Sequence, residues 1–140
     1  MRRFPGSRRW PQFARDALAA SLPAHGIGYQ WFPELGGRRR AQPDSPNTAW
    51  RNAAFRGYAD HLSSAEFAEG LAAMLAFAAR QRTAMMCAEA VWWRCHRALI
   101  ADVLRARGIE VLHILDSTHC AVHPYTSPAR IVEGRLSYAG

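Results

Sequence analysis

Apolar and polar positions alternate at helical spacing near the start of the chain. Over residues 11–22 (PQFARDALAASL), Phe13, Ala17, Leu18 and Leu22 share one face and Pro11 suits the first turn, which predicts a short amphipathic helix. Pro23, Gly26 and Gly28 end it, and IGYQWF (27–32) reads as an aromatic strand that breaks at PELGG. Residues 36–48 carry glycine, proline and an arginine triplet with no apolar period, so they are expected to form a loop, of the long kind that is often functional or mobile. A helix is predicted over 50–62. The run Ser63-Ser64-Ala65-Glu66 has the form of a capping box opening a second helix that reaches Arg80, with Phe67, Leu71, Met74, Leu75 and Ala78 as its buried stripe.

The pattern then changes. TAMMCAE (83–89) is a short apolar run, residues 91–108 have helical periodicity closed by Gly108, and EVLHIL (110–115) is again continuous and apolar. Strand, helix, strand is the expectation, with Leu99, Ile100, Val103 and Leu104 as the apolar face of the crossover helix. A right-handed crossover predicts a single α/β domain over 1–140: three layers, a mostly parallel sheet and flanking helices, Rossmann- or flavodoxin-like. In such sheets ligands sit at the carboxyl ends of strands, where helix N-termini aim unpaired amides. Cys87, Glu89, Trp92, Trp93, Arg94, Cys95, His96 and Arg97 fall at that place.

Composition narrows the class. The 140 residues are 49% hydrophobic and 21% charged, the balance of a globular chain. No apolar run is long enough to span a membrane and no signal peptide follows the basic start, so a cytoplasmic location without membrane contact is expected. Three cysteines do not suggest a disulfide scaffold. The formal charge of +7 lies entirely in residues 1–56, in clusters such as Arg2/Arg3, Arg8/Arg9 and Arg38–Arg40. GC-rich coding accounts for arginine in place of lysine, but not for the clustering, which points to an anionic partner.

Several separated motifs carry a resemblance. Cys87-Ala88-Glu89 followed by Cys95-His96-Arg97 is similar to the C-x-E…C-H-R signature of the bacterial domain-of-unknown-function 488 family. Arg2-x-x-Pro5-x-Ser7-Arg8…Phe13, Tyr29…Pro33-Glu34-Leu35-Gly36-Gly37, Phe55-x-x-Tyr58-Ala59 and His123-Pro124-x-Thr126…Gly134-Arg135-Leu136-x-Tyr138 resemble its landmarks in order, over essentially the whole chain. The resemblance implies an N-terminal truncation. Family members begin with a strand of the type T-I-G-H-S, a helix and a strand ending in D-V-R, and Met1 stands where that valine would be. Loss of such a piece would leave an unpaired sheet edge and poor solubility.

The candidate chemistry is open between classes. Cys95, at a helix start beside Arg94 and Arg97, could be a nucleophile or a packed thiol. Glu89 could act as general base, or pair structurally with Arg97 or Arg8; His96 could donate a proton and Arg97 clamp an anion. A phosphatase-type Cys-x5-Arg loop is disfavoured, because counting from Cys87 reaches Trp93. His113, His119, Cys120 and His123 lack convincing zinc spacing, and no metal is expected; His119 and His123 could line the same pocket. Trp31, Trp50, Trp92 and Trp93 among arginines raise single-strand recognition, with adjacent Trp92 and Trp93 the pair that cannot both face one interior. GIG at 26–28 precedes its strand, so a dinucleotide fingerprint is absent and the cofactor stays open. The expected function is an enzyme-like protein acting on a phosphate-bearing ligand, nucleotide or nucleic acid. Glu89, Cys95 and His96 would be catalytic, and Arg97, Arg2, Arg8 and Tyr58 would bind substrate. The competing expectation is a noncatalytic anion or nucleic-acid binding module, with oligomeric state undetermined.

Overall fold

A computed structural model describes residues 9–140. Among them are four α-helices: α1 (Arg15–Ala24), α2 (Ala53–His61), α3 (Ala65–Ala78) and α4 (Arg97–Ala106). Four three-residue strands follow: β1 (Leu112–Ile114), β2 (Cys120–Val122), β3 (Arg130–Val132) and β4 (Arg135–Ser137). The chain divides into two compact units, one holding residues up to 38 with 65–88, the other 39–64 with 89–140.

In the first unit α1 carries Asp16 in its first turn, where a carboxylate complements the helix dipole. It ends where sequence places Gly26, at φ +73°: the Gly26 and Ile27 amides donate back to the Pro23 and Leu22 carbonyls and close the final turn. Leu18, Leu35, Phe67, Leu71 and Met74 are buried, and Phe32 meets Phe77 edge-on at 6.2 Å. The 3₁₀ turn Pro33–Leu35 lies so close to α3 that a Cβ on Gly70 would come within 2.6 Å of Glu34 Cβ. The expected strand over residues 27–32 is not formed.

In the second unit α2 starts on Asn52, whose side-chain oxygen accepts from the Ala54 and Phe55 amides. The arginine-rich loop is tied to this helix. Arg39 and Ala41 cross it at Gly57, where a Cβ would sit 2.1 Å from the Arg39 carbonyl oxygen. Asp60 accepts from the Gln42 amide, Ser45 Oγ and Asn47 Nδ2. Burial pulls the Asp60 pKa upward, but these bonds and the nearby Arg56 outweigh it and hold the carboxyl below its usual range. Buried α4 residues include Ala98, Leu99, Ile100, Ala101, Asp102 and Leu104, a wider face than a surface helix shows. Gly108, at φ +80°, closes it with the same pair of back-bonds seen after α1.

The expected three-layer, mostly parallel sheet is not formed. Among the described residues the strands make two separate antiparallel pairs, β1 with β2 and β3 with β4. Residues 82–87 have no strand partner, and 83–88 belong to a different unit from β1, so no crossover joins them. β1 instead pairs with the chain just downstream. Asp116 Oδ1 accepts from the Thr118 and His119 amides and sets the turn, and closing so short a loop costs less entropy than a crossover of a dozen or more residues. The second hairpin turns at Glu133-Gly134, both at positive φ, as a two-residue turn matched to strand twist requires. The facing of β1 also differs from that of an inner strand: Leu112 and Ile114 are exposed with their cross-strand partners Val122 and Cys120, while His113 is buried.

Candidate functional site

The C-H-R segment meets the start of α4. Cys95 is 2% exposed. Its sulfur accepts from the Arg97 backbone amide at 3.4 Å and from Arg97 Nε at 3.4 Å, and His96 Nδ1 lies 3.5 Å away. Arg97 Nη2 donates to the main-chain carbonyl of Glu89 at 2.7 Å, so the guanidinium is fixed at two points. Tyr58, buried on α2, lies ring to ring with His96 at 5.1 Å. Thus Tyr58, Cys95, His96 and Arg97 are gathered at one place.

Two expectations about this segment change. The Glu89 side chain is exposed and Arg97 bonds its carbonyl, not its carboxylate, so Arg97, one of the two expected ion-pair partners, is a main-chain anchor instead. The amides of the first α4 turn do not point unpaired at an opening. Arg97 N–H is taken by Cys95 Sγ, Ala98 N–H by the Cys95 carbonyl, and the Leu99 and Ile100 N–H groups by the His96 carbonyl. Arg2 and Arg8 lie outside the described residues.

A second constellation was not foreseen. Asp102 on α4 is fully buried, and its carboxylate accepts four bonds. His123 Nε2 (2.8 Å) and the Thr126 amide (2.9 Å) reach Oδ1, while the Thr126 hydroxyl and Tyr138 OH (2.7 Å) reach Oδ2. His123 Nδ1 continues to His113 Nε2 at 2.8 Å. The separated landmark His123…Thr126…Tyr138 therefore converges on one acid whose neighbours in the sequence are apolar. Its signal was available: an acid on a helix face otherwise filled by alanine, leucine and isoleucine must be paired.

The electrostatics follow from burial. Desolvation, then the charges of His123 and Arg97, push the His113 pKa down to about 4, so this ring stays neutral near pH 7. Burial and the Asp102 carboxylate raise the Tyr138 phenol well above its ordinary value and keep it a donor. The four residues weighed for zinc are not assembled. His113 and His123 are committed to one another and to Asp102, His119 bonds Asp116 in the exposed turn, and Cys120 lies on the opposite face of the hairpin from His113.

Above this chain lies an aromatic cleft of about 200 Å³ walled by Trp50, Trp92, Trp93, Tyr125, Thr126, Ser127 and Pro128. Trp92 stacks flat on His113 (4.2 Å, 4°) and meets Trp93 edge-on (5.7 Å, 88°). Trp92 is half-buried and Trp93 54% exposed, so the two adjacent rings do face different surroundings. The Arg105 guanidinium covers Tyr125 at 4.4 Å and donates to the His123 carbonyl.

No helix among the described residues is long and apolar enough to cross a membrane. No curated protein and no solved structure matches the chain. A family model described as "Domain of unknown function DUF488" matches residues 1–104, which includes the Cys87–Glu89 and Cys95–Arg97 motifs and Asp102, while His113, His123, Thr126 and Tyr138 lie beyond its end. With nearly three-quarters of its length matched, the chain belongs to the DUF488 family.

Proposed function

We propose that this protein binds a phosphate-bearing ligand, nucleotide or nucleic acid, through Arg97 with His96 and Arg94. The observation that carries this reading is the double anchoring of Arg97. A guanidinium held by Cys95 Sγ and the Glu89 carbonyl has lost its rotamer freedom, and its remaining N–H groups form a rigid fork suited to a phosphate. Cys95 and Glu89 position that fork, Tyr58 supports His96 from below, and Arg94 is exposed beside it.

Binding without chemistry is favoured by the near-complete burial of Cys95, which leaves its sulfur little access to a substrate. The enzyme reading draws on the donors gathered at that sulfur, the surroundings in which cysteines become nucleophiles. Arg97→Ala should weaken binding of pyrophosphate and of nucleotides roughly tenfold or more, and lower the salt dependence of oligonucleotide binding by about one counterion. Unchanged affinity and salt slope would remove the phosphate site. Cys95→Ser separates the two readings: turnover lost with affinity retained assigns chemistry to the thiol.

A further inference from the structure

The aromatic cleft is not used by the Arg97 reading. We propose that it is a base-stacking site for single-stranded nucleic acid, receiving one unstacked nucleobase against the rings of Trp92, Trp93, Trp50 and Tyr125. This rests on the anionic-ligand reading for the sign of the partner's charge and adds the part that recognises a base.

Size is the first argument. About 200 Å³ falls below the roughly 300–1,000 Å³ of pockets that enclose drug-sized molecules, so the cleft takes one flat ring system and leaves the rest of its ligand outside. The second is preorganisation. Trp92 is clamped flat on His113, which His123 ties to the buried Asp102 carboxylate. A buried acid and two histidines spent on orienting one indole make a rigid platform, and a platform that need not be ordered on binding retains more of its stacking energy. Trp93 stands at right angles to it, with more than half its surface exposed.

The remaining features agree. Trp50 adds a third indole to the lining of the cleft. Arg105, stacked on Tyr125, sets positive charge beside the cleft. The unit that contains it has ten arginines against seven acidic residues, a balance that favours a polyanion running past the opening over a single small molecule.

The test uses the whole chain and three probes: an oligothymidylate of about 12 nucleotides, within the usual site sizes for such grooves, an abasic strand of equal length, and thymidine monophosphate. The oligothymidylate should bind roughly tenfold tighter than the abasic strand and quench tryptophan fluorescence. Trp93→Ala, on an exposed side chain whose loss leaves packing intact, should erase most of that advantage, and Trp50→Phe should reduce it in part. Arg97→Ala should weaken both strands alike, so failure of the phosphate reading shows as an unchanged Arg97 variant with the base preference intact. Equal binding of normal and abasic strands, or a Trp93→Ala protein that keeps the preference, would overturn the base site. Monophosphate binding as tight as the oligonucleotide would overturn its assignment to single strands.

Discussion

Replacing Asp102 by alanine should strongly destabilise the fold, although the side chain touches no surface. The carboxylate accepts from His123 Nε2, the Thr126 amide, the Thr126 hydroxyl and Tyr138 OH, and is wholly buried. Truncation leaves His123 and Tyr138 as buried donors without an acceptor. Each donor stranded in this way costs about 1–3 kcal/mol. These losses overlap, and a total of about 4–5 kcal/mol approaches the 5–15 kcal/mol by which whole domains are stable. Urea unfolding followed by tryptophan fluorescence and circular dichroism would read it. With an m-value of about 2 kcal/mol/M, the midpoint should fall by about 2 M at unchanged m. Tyr138→Phe, which removes a single donor, should cost about 1–2 kcal/mol. If Asp102→Ala shifted the midpoint by under about 0.5 M, Asp102 would not be the hub that joins α4 to the C-terminal segment.

Two further stability predictions follow from particular atoms. The His113 pKa is about 4 in the folded protein against an ordinary 6.5, so between these values the unfolded chain binds a proton that the native state refuses. Stability from this group is complete above about pH 6.5 and is lost as pH falls toward 4, by on the order of 2 kcal/mol once residual solvent screening is allowed for. Urea midpoints at pH 7 and pH 5 should therefore diverge more in the native protein than in His113→Phe, and equal divergence would refute the assignment. Gly57→Ala places a methyl 2.1 Å from the Arg39 carbonyl oxygen and 2.7 Å from the Ala41 amide, so the backbone strap must lift, at about 2–3 kcal/mol. Gly108→Ala meets open space and carries only the strain of φ +80°, about 1 kcal/mol, so thermal melting should rank the two variants in that order.

What the sequence determined by itself was local. Helix periodicity located α1 through α4, with α1 and α4 beginning later, at Arg15 and Arg97, than the patterns starting at 11 and 91; Gly26 and Gly108 marked two helix ends where positive φ is needed, and the polar stretch at 36–48 is a loop. Cys95, His96 and Arg97 are contiguous, and Tyr58 on α2 meets the His96 ring. These features depend on neighbours along the chain. Pairing partners do not: an uninterrupted apolar run such as 110–115 fits an inner parallel strand and a hairpin arm equally well, and the Asp116 turn that selects the hairpin lies outside the run. Only the tertiary structure decided that His113 turns inward while Leu112 and Ile114 face out, that Arg97 holds a carbonyl in place of a carboxylate, and that Asp102 gathers residues up to 36 positions away. A buried carboxylate has no local signature of its donors; it binds whichever N–H and O–H groups the fold carries to it, and that choice exists only in three dimensions.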